Sequence, residues 1–214
     1  MLTVYGRATS SNVQAVMWTI AELGLEYERL DYGHKFGGNK TPEFLAMNPN
    51  GLVPVVVDGD GPPLFESGAI VRYLSARYGK DPFWPADPAA RVVQDVWAEW
   101  SKTTLFPALM GQVFGPMVRY RPEERDNKSI GAGVEALKPL ARMLDKRLEG
   151  APYIGGETLS FADVFIGHLL YRYYTLEIDR AETPVLDAYY DRLKQRPAYR
   201  EHVMVSYDSL RPDT

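Results

Sequence analysis

The hydrophobic pattern of this chain changes its period near residue 80, and that break limits the fold more than any other feature. Before it, short apolar runs alternate with helical spacing. Leu2–Tyr5 reads as a buried strand stopped by Gly6, and Val13, Val16, Met17, Ile20 and Leu23 follow at helical spacing up to Gly24. Residues 27–31 read as a second strand, and Thr41-Pro42 as the cap and first position of a short helix. Residues 54–58 read as a third strand, the Asp58-Gly59-Asp60-Gly61 turn leads to a fourth around Leu64-Phe65, and Ser67 caps a helix bearing Ile70, Val71 and Leu74. Strands joined through a helix pair in parallel, so this half is an α/β unit. Beyond it the strand signal stops. Residues 79–88 (GKDPFWPADP) hold three prolines, as a linker does. Helical patterns then cover residues 88–114, 122–148, 160–176 and 184–195, followed by a short tail. Pro139 interrupts the series Val134, Leu137, Leu140, Leu144 and is expected to kink or split its helix. The expected organisation is an α/β domain over 1–80, a linker over 81–88 and an all-α domain over 89–214.

Composition narrows the chemistry. The 214 residues contain no cysteine, which excludes disulfides, thiolate metal sites and a cysteine nucleophile. The formal charge of −4 argues against nucleic acid as a partner. The first residues lack a basic patch followed by an apolar run, so no secretory leader is expected, and no apolar stretch is long enough to span a membrane. A cytoplasmic location is the expectation. The three histidines, His34, His168 and His202, share no metal-ligand spacing, so no metal is expected; His168, in an apolar helix, reads as a core residue. The loop 33–41 is superficially like a phosphate loop, but Asn39 stands where a lysine must follow the second glycine.

Leu159-Ser160-Phe161-Ala162-Asp163-Val164 is a capping box with a hydrophobic staple, and by itself it says only that a helix begins. Together with the α/β unit, the Val53-Pro54 step, the Glu66-Ser67 pair and the proline-rich linker, it resembles the cytosolic glutathione transferases over nearly the whole chain. Residues 45–57 (LAMNPNGLVPVVV), 64–73 (LFESGAIVRY) and 122–126 (PEERD) resemble bacterial members of the Ser/Asn type in particular. The resemblance implies a thioredoxin-like N-terminal domain, a helical C-terminal domain, glutathione as co-substrate and a two-fold homodimer.

Glutathione is an anionic tripeptide whose thiol has a pKa near about 8.5, and its thiolate is the nucleophile. Lowering that pKa by about two units corresponds to about 2.7 kcal/mol of preferential stabilisation. A helix N-terminus and a hydrogen-bond donor aimed at sulfur can supply it. The Thr9-Ser10-Ser11-Asn12 loop, between the first strand and first helix, offers both. By the resemblance, Ser10 is the best match for the activating hydroxyl, Ser11 replaces it if the loop slips by one residue, and Asn12 supports the sulfur. On the local residues alone, the three simply cap a helix. Tyr5 lies within the strand and matches poorly.

The resemblance further implies that Val53, before a cis Pro54, pairs with the cysteinyl backbone, and that Glu66 and Ser67 receive the γ-glutamyl end at a helix N-terminus. Leu52 departs from the polar residue expected for the glycyl end, so Asn39, with Lys40 or His34 behind it, is the substitute. The second substrate is expected against the helical domain, among Phe106, Met110, Phe114, Tyr120, Tyr171 and Tyr174, which helical spacing equally assigns to core. If Arg119, near the end of the first long helix, faces the cleft, it would receive an anionic electrophile such as a halo-acid; on the residues alone it reads equally as a solvated surface arginine. The expected activity is glutathione S-transfer to a small electrophile. Glutathione-dependent reduction of disulfides or peroxides is a second reading on the same scaffold, and a non-catalytic binding or assembly module is a third.

Overall fold

In a computed structural model, which describes residues 1–212, the α/β half is built on the hydrophobic strand Leu2–Tyr5 (β1). It pairs in parallel with Tyr27–Leu30 (β2) and antiparallel with Val55–Asp58 (β3), which in turn pairs antiparallel with Leu64–Phe65 (β4). The sheet order β2-β1-β3-β4 is that of a thioredoxin-like domain. Ser11–Glu22 (α1) makes the parallel crossover, and Ser67–Tyr78 (α3) packs beside it. The short Pro42–Met47 (α2) starts as its sequence dictates: Thr41 Oγ accepts from the Phe44 N–H at 3.3 Å. At α3 the sequence expectation needs correction. Glu66 is the cap residue and Ser67 the first helical one, and the Ser67 hydroxyl caps nothing.

The helical half opens at Pro88–Trp100 (α4), capped by Asp87, whose carboxylate accepts from the N–H groups of Ala89 and Ala90. The chain then stays helical past residue 114, through π-wound stretches Ser101–Leu105 and Pro107–Phe114, to Gly115–Arg119 (α5). Pro107 has no N–H to give and so cannot hold the ordinary ladder together. Asn127–Arg147 (α6) runs unbroken through Pro139, contrary to the expected split. Pro139 and Glu135 both lie on the exposed face, where water can take the carbonyl that the proline leaves without a donor. Residues 122–124, expected in that helix, form a separate 3-10 turn. Phe161–Thr175 (α7) and Pro184–Lys194 (α8) follow, and Pro197–His202 (α9) is one more helix where a tail was expected. Asp213 and Thr214, the end of the expected helical domain, lie outside the described residues. No helix among the described residues is long and apolar enough to cross a membrane.

The two halves share α7 as a common wall. Its capping box forms, with the Ser160 N–H donating to Asp163 at 2.8 Å. The buried Asp163 carboxylate also accepts from the Ile154 N–H at 2.7 Å and the Tyr189 hydroxyl at 2.9 Å. Further along, Gly167 lets α1 approach: a β-carbon there would stand 2.7 Å from ring carbons of Trp18. Trp18 is fully buried and meets the Tyr199 ring edge-on at 4.8 Å, while the Tyr199 hydroxyl donates to the Gly167 carbonyl at 2.8 Å.

Two outcomes follow from this packing. Gly167→Val overfills the contact between α1 and α7 and is expected to lower unfolding stability by about 1–3 kcal/mol, read by urea denaturation. His168 is fully buried, its Nδ1 paired with the Val164 carbonyl at 2.9 Å and its Nε2 without a partner. Burial, helped by the Lys102 charge, pushes its pKa down to about 3, while the unfolded chain keeps a value near 6.5. The unfolded state therefore gains the proton first, and stability falls as pH drops below about 6.5, by up to about 1.4 kcal/mol per pH unit. Unfolding curves at successive pH values should show this slope, and His168→Gln should flatten it.

Candidate active site

A cleft of about 580 Å³ lies between the halves, with its floor at the N-terminus of α1. Gly6 ends β1, and the chain crosses close over α1, where a β-carbon on Gly6 would sit 2.5 Å from a Val13 methyl. The loop that follows is held by α7. Arg172, 1% exposed, donates to the Gln14 side chain at 2.5 Å and to the Thr9 carbonyl at 3.0 Å, and Gln14 donates to the Ala8 carbonyl at 2.9 Å. This lashing fixes the three residues that begin the helix. Ser10 occupies the cap position with extended backbone, yet its hydroxyl makes no capping bond and lines the cleft. Ser11 is the first helical residue; it too lines the cleft but is largely buried. Asn12 lines the cleft, and its Oδ1 accepts from the Ser67 hydroxyl at 2.9 Å.

On the opposite side, the Val53–Pro54 bond is cis, and Val53 lines the cleft with neither its N–H nor its carbonyl bonded within the described residues. Glu66 holds a positive φ of 65°, a conformation costly for a residue with a side chain and characteristic of functional turns. That turn starts α3 at Ser67, beside Asn12. The N-terminus of α3 thus stands beside that of α1 through the Ser67–Asn12 bond, although Pro54, Glu66 and Ser67 do not themselves line the cleft. At the other end stand Gly33, His34, Asn39 and Leu52. Asn39 spends one amide hydrogen on the Gly51 carbonyl at 2.7 Å; Lys40 turns away to the Asn50 carbonyl.

The helical half supplies the remaining wall. Phe106, Met110, Phe114 and Arg119, four of the residues offered for the second substrate, line the cleft. Tyr120, Tyr171 and Tyr174 do not. Tyr120 borders a separate surface hollow with Arg121 and Pro122. Tyr171 faces Tyr207, and Tyr174 stacks on Tyr190 at 4.3 Å and donates to Asp187 at 2.6 Å. Between these two tyrosines, the face of α7 that meets the cleft carries Arg172.

Three cationic residues escape the sequence reading: Arg7, Lys102 and Arg172. No local motif marks them, because each acts across the domain boundary or from an irregular loop. Arg7 is half-buried with its Nε unpartnered, and burial together with the Arg119 charge draws its pKa down. His34 is drawn down by burial and by the charges of Arg7, Arg119 and Lys35. Burial lowers Arg172 to about 10, still protonated at neutral pH. Arg7, Arg119 and Arg172 therefore gather positive charge on the cleft, beside a His34 whose lowered pKa favours the neutral ring, and among the described residues no aspartate or glutamate lines it. Lys102 reaches over from the π-wound segment to Asn12 and Ser67, 3.1 Å from each. Desolvation lowers its pKa, with Glu66 and Glu99 opposing and Arg72 assisting.

A thioredoxin-like domain with a cis X–Pro step beside two helix N-termini, closed by an all-helical domain, defines the glutathione transferase class of proteins. Residues 1–76 match the family model of the glutathione S-transferase N-terminal domain, and residues 105–197 that of the C-terminal domain. The chain is 39% identical over 206 residues to glutathione S-transferase GstB of Escherichia coli (strain K12), covering 96% of this chain and 99% of that one. It is 38% identical, with a TM-score of 0.90, to the theta class glutathione S-transferase of Xanthomonas axonopodis pv. citri solved with glutathione bound, covering 96% of this chain and 98% of that one. A more distant relative, 29% identical over 201 residues, is the disulfide-bond oxidoreductase YfcG of E. coli, with 89% of each chain covered. The chain belongs to the glutathione S-transferase family and is a glutathione S-transferase.

Proposed function

We propose that the cleft conjugates glutathione to a small electrophile that carries an anionic group. One observation carries this reading: an uncommitted Ser10 hydroxyl sits at a helix N-terminus in a cleft lined by four basic residues and, among the described residues, by no carboxylate. The γ-glutamyl carboxylate takes the N–H groups and hydroxyl at the start of α3, and the Glu66 carboxylate, at the turn before it, receives the amino group. The free N–H and carbonyl of Val53 pair with the cysteinyl backbone, beside Pro54. The glycyl end extends toward Asn39 and His34. This pose brings the sulfur to the N-terminus of α1, where Ser10 donates to it and Asn12 supports it; Ser11 is buried and less available.

The thiol proton leaves to solvent. The thiolate then attacks the electrophilic carbon, a carbon–sulfur bond forms, and the leaving group departs with its bonding pair. Phe106 and Met110 cover the apolar part of that second substrate, and Arg119 with Arg7 holds its anionic group. Arg172 adds to the positive field while anchoring the loop. Since the chain has no thiol, every sulfur in the reaction comes from a ligand. Val92, Val93 and Val96, each more than half exposed on α4, provide apolar surface suited to a two-fold homodimer.

Two measurements test the reading. Absorbance titration of bound glutathione against pH should give a thiol pKa below the free value, and Ser10→Ala should raise it by about one to two units, since a hydrogen bond to a charged group contributes about 1.5–3 kcal/mol. Failure to bind glutathione would overturn both enzymatic readings, and binding with an unshifted thiol would favour a binding module. In the second measurement, kcat/KM for a haloacetate should exceed that for the matching haloacetamide after correction for intrinsic reactivity. Arg119→Ala should lower the haloacetate value about 10- to 100-fold and leave the amide nearly unchanged. Equal losses on both substrates would sink the anionic assignment.

A further inference from the structure

Lys102 is the least expected member of the site. It is held more than half buried at the boundary between the halves, and its ammonium has no carboxylate within ion-pairing distance among the described residues. Its two hydrogen-bond partners, Asn12 Oδ1 and Ser67 Oγ, are both neutral oxygens on the α/β half. The charged and titratable groups around it are Glu66 and Arg72 at α3, Glu99 on α4 and His168 on α7. A half-buried lysine without a carboxylate partner is costly to keep, and the Phe106 ring, 5.0 Å from its Nζ, offsets only part of that cost.

We infer that Lys102 is a positioning residue that fixes the Asn12 amide with its oxygen turned away from the sulfur and its NH2 group turned toward it. This rests on glutathione binding as described above. An ammonium has three donors and no acceptor, so only the oxygen of an asparagine amide can face it. Asn12 Oδ1 takes a bond from Lys102 at 3.1 Å and one from Ser67 at 2.9 Å, and its Nδ2 has no partner among the described residues. Both N–H donors of that amide are therefore available at the cleft.

The two donors on Oδ1 are not equivalent once glutathione binds. Ser67 has a single hydroxyl proton. A γ-glutamyl carboxylate seated at the start of α3 is a stronger acceptor than a neutral amide and draws that proton to itself. Lys102 then remains as the donor on Asn12. Without it, the amide can rotate by half a turn about its last bond and present its oxygen to the thiolate, where two electron-rich atoms repel. The lysine thus acts on the sulfur through Asn12, from the other half of the molecule, and ties thiolate stabilisation to closure of the helical domain over the α/β domain.

The test uses the full-length protein, reduced glutathione and the bound thiol pKa as readout. Lys102→Met should raise that pKa by about one unit and lower kcat below neutral pH about ten-fold, with glutathione affinity changed less than about three-fold. Lys102→Arg, which keeps donors and charge, should restore most of the effect. In an Asn12→Ala background, Lys102→Met should add nothing, as a double-mutant cycle reads it. Should the methionine variant fold poorly, Lys102→Gln, whose amide can turn either its NH2 or its oxygen to Asn12, should raise the thiol pKa by part of that unit and again add nothing in the Asn12→Ala background. An unchanged pKa in the single variant overturns the inference. So does a shift that persists without Asn12, which would make Lys102 a direct electrostatic partner of the thiolate. A loss confined to glutathione affinity also overturns it, making Lys102 a clamp on the γ-glutamyl carboxylate. Absence of a depressed thiol pKa in the unaltered protein would instead count against the glutathione reading itself.

Discussion

Helix α1 is covered on nearly every side, by the sheet and α3 in its own half and by α7 and α9 in the other. Val13, Val16, Trp18 and Ile20 have no exposed surface. Its approach to α7 depends on Gly167, since any side chain there would meet the Trp18 ring. The Tyr199 ring closes the contact from α9, and the Glu22–Arg196 pair seals its edge at 2.5 Å. Such a close-packed contact has little freedom to slide, because interiors at crystal density respond to small shifts with large costs. The position of the α1 N-terminus, and of everything built on it, is set there.

The site uses that rigidity for electrostatics. A helix N-terminus carries fixed positive character but has little reach beyond its first turn. Two of them, at α1 and α3, are brought together and bridged by Asn12, Ser67 and Lys102. Arg172 serves both purposes: it ties Thr9 and Gln14 to the helical half, and its charge adds to those of Arg7 and Arg119. Burial, and after it the neighbouring positive charges, lowers the pKa values of Arg7 and His34, and an anionic ligand relieves the repulsive part. Binding and field therefore share one origin.

Much of the architecture was legible in the sequence, because local patterns dictate it. The period of the apolar residues separates strands from helices, Thr41-Pro42 starts α2, and the Ser160–Asp163 box starts α7. The misreadings have physical causes. Pro139 sits on a solvent face where the lost hydrogen bond is cheap, so α6 continues through it. Six-residue α9 is too short to show a period and owes its place to the burial of Tyr199. Ser67 looks like a cap, but the positive φ of Glu66 moves the helix start by one residue and frees the hydroxyl for Asn12. On α7, spacing made Tyr171 and Tyr174 as eligible for the cleft as Arg172. Only the helix's rotation against α1 and α8 separates them.

By itself, the sequence determined the two-part organisation, the absence of any thiol in the chain and the cluster of Ser10, Ser11, Asn12, Val53, Glu66 and Ser67 as candidates for the site. These follow from periodicity, composition and residues close together in the chain or recognisable by motif. Only the tertiary structure decided that the Ser10 hydroxyl makes no capping bond, that Lys102 meets Asn12 from 90 residues away, and that Arg7 and Arg172 join Arg119 in one cleft. Long-range contacts between side chains depend on how rigid elements are rotated and seated against one another. That seating is settled by packing across the whole interior, and no local stretch of sequence encodes it.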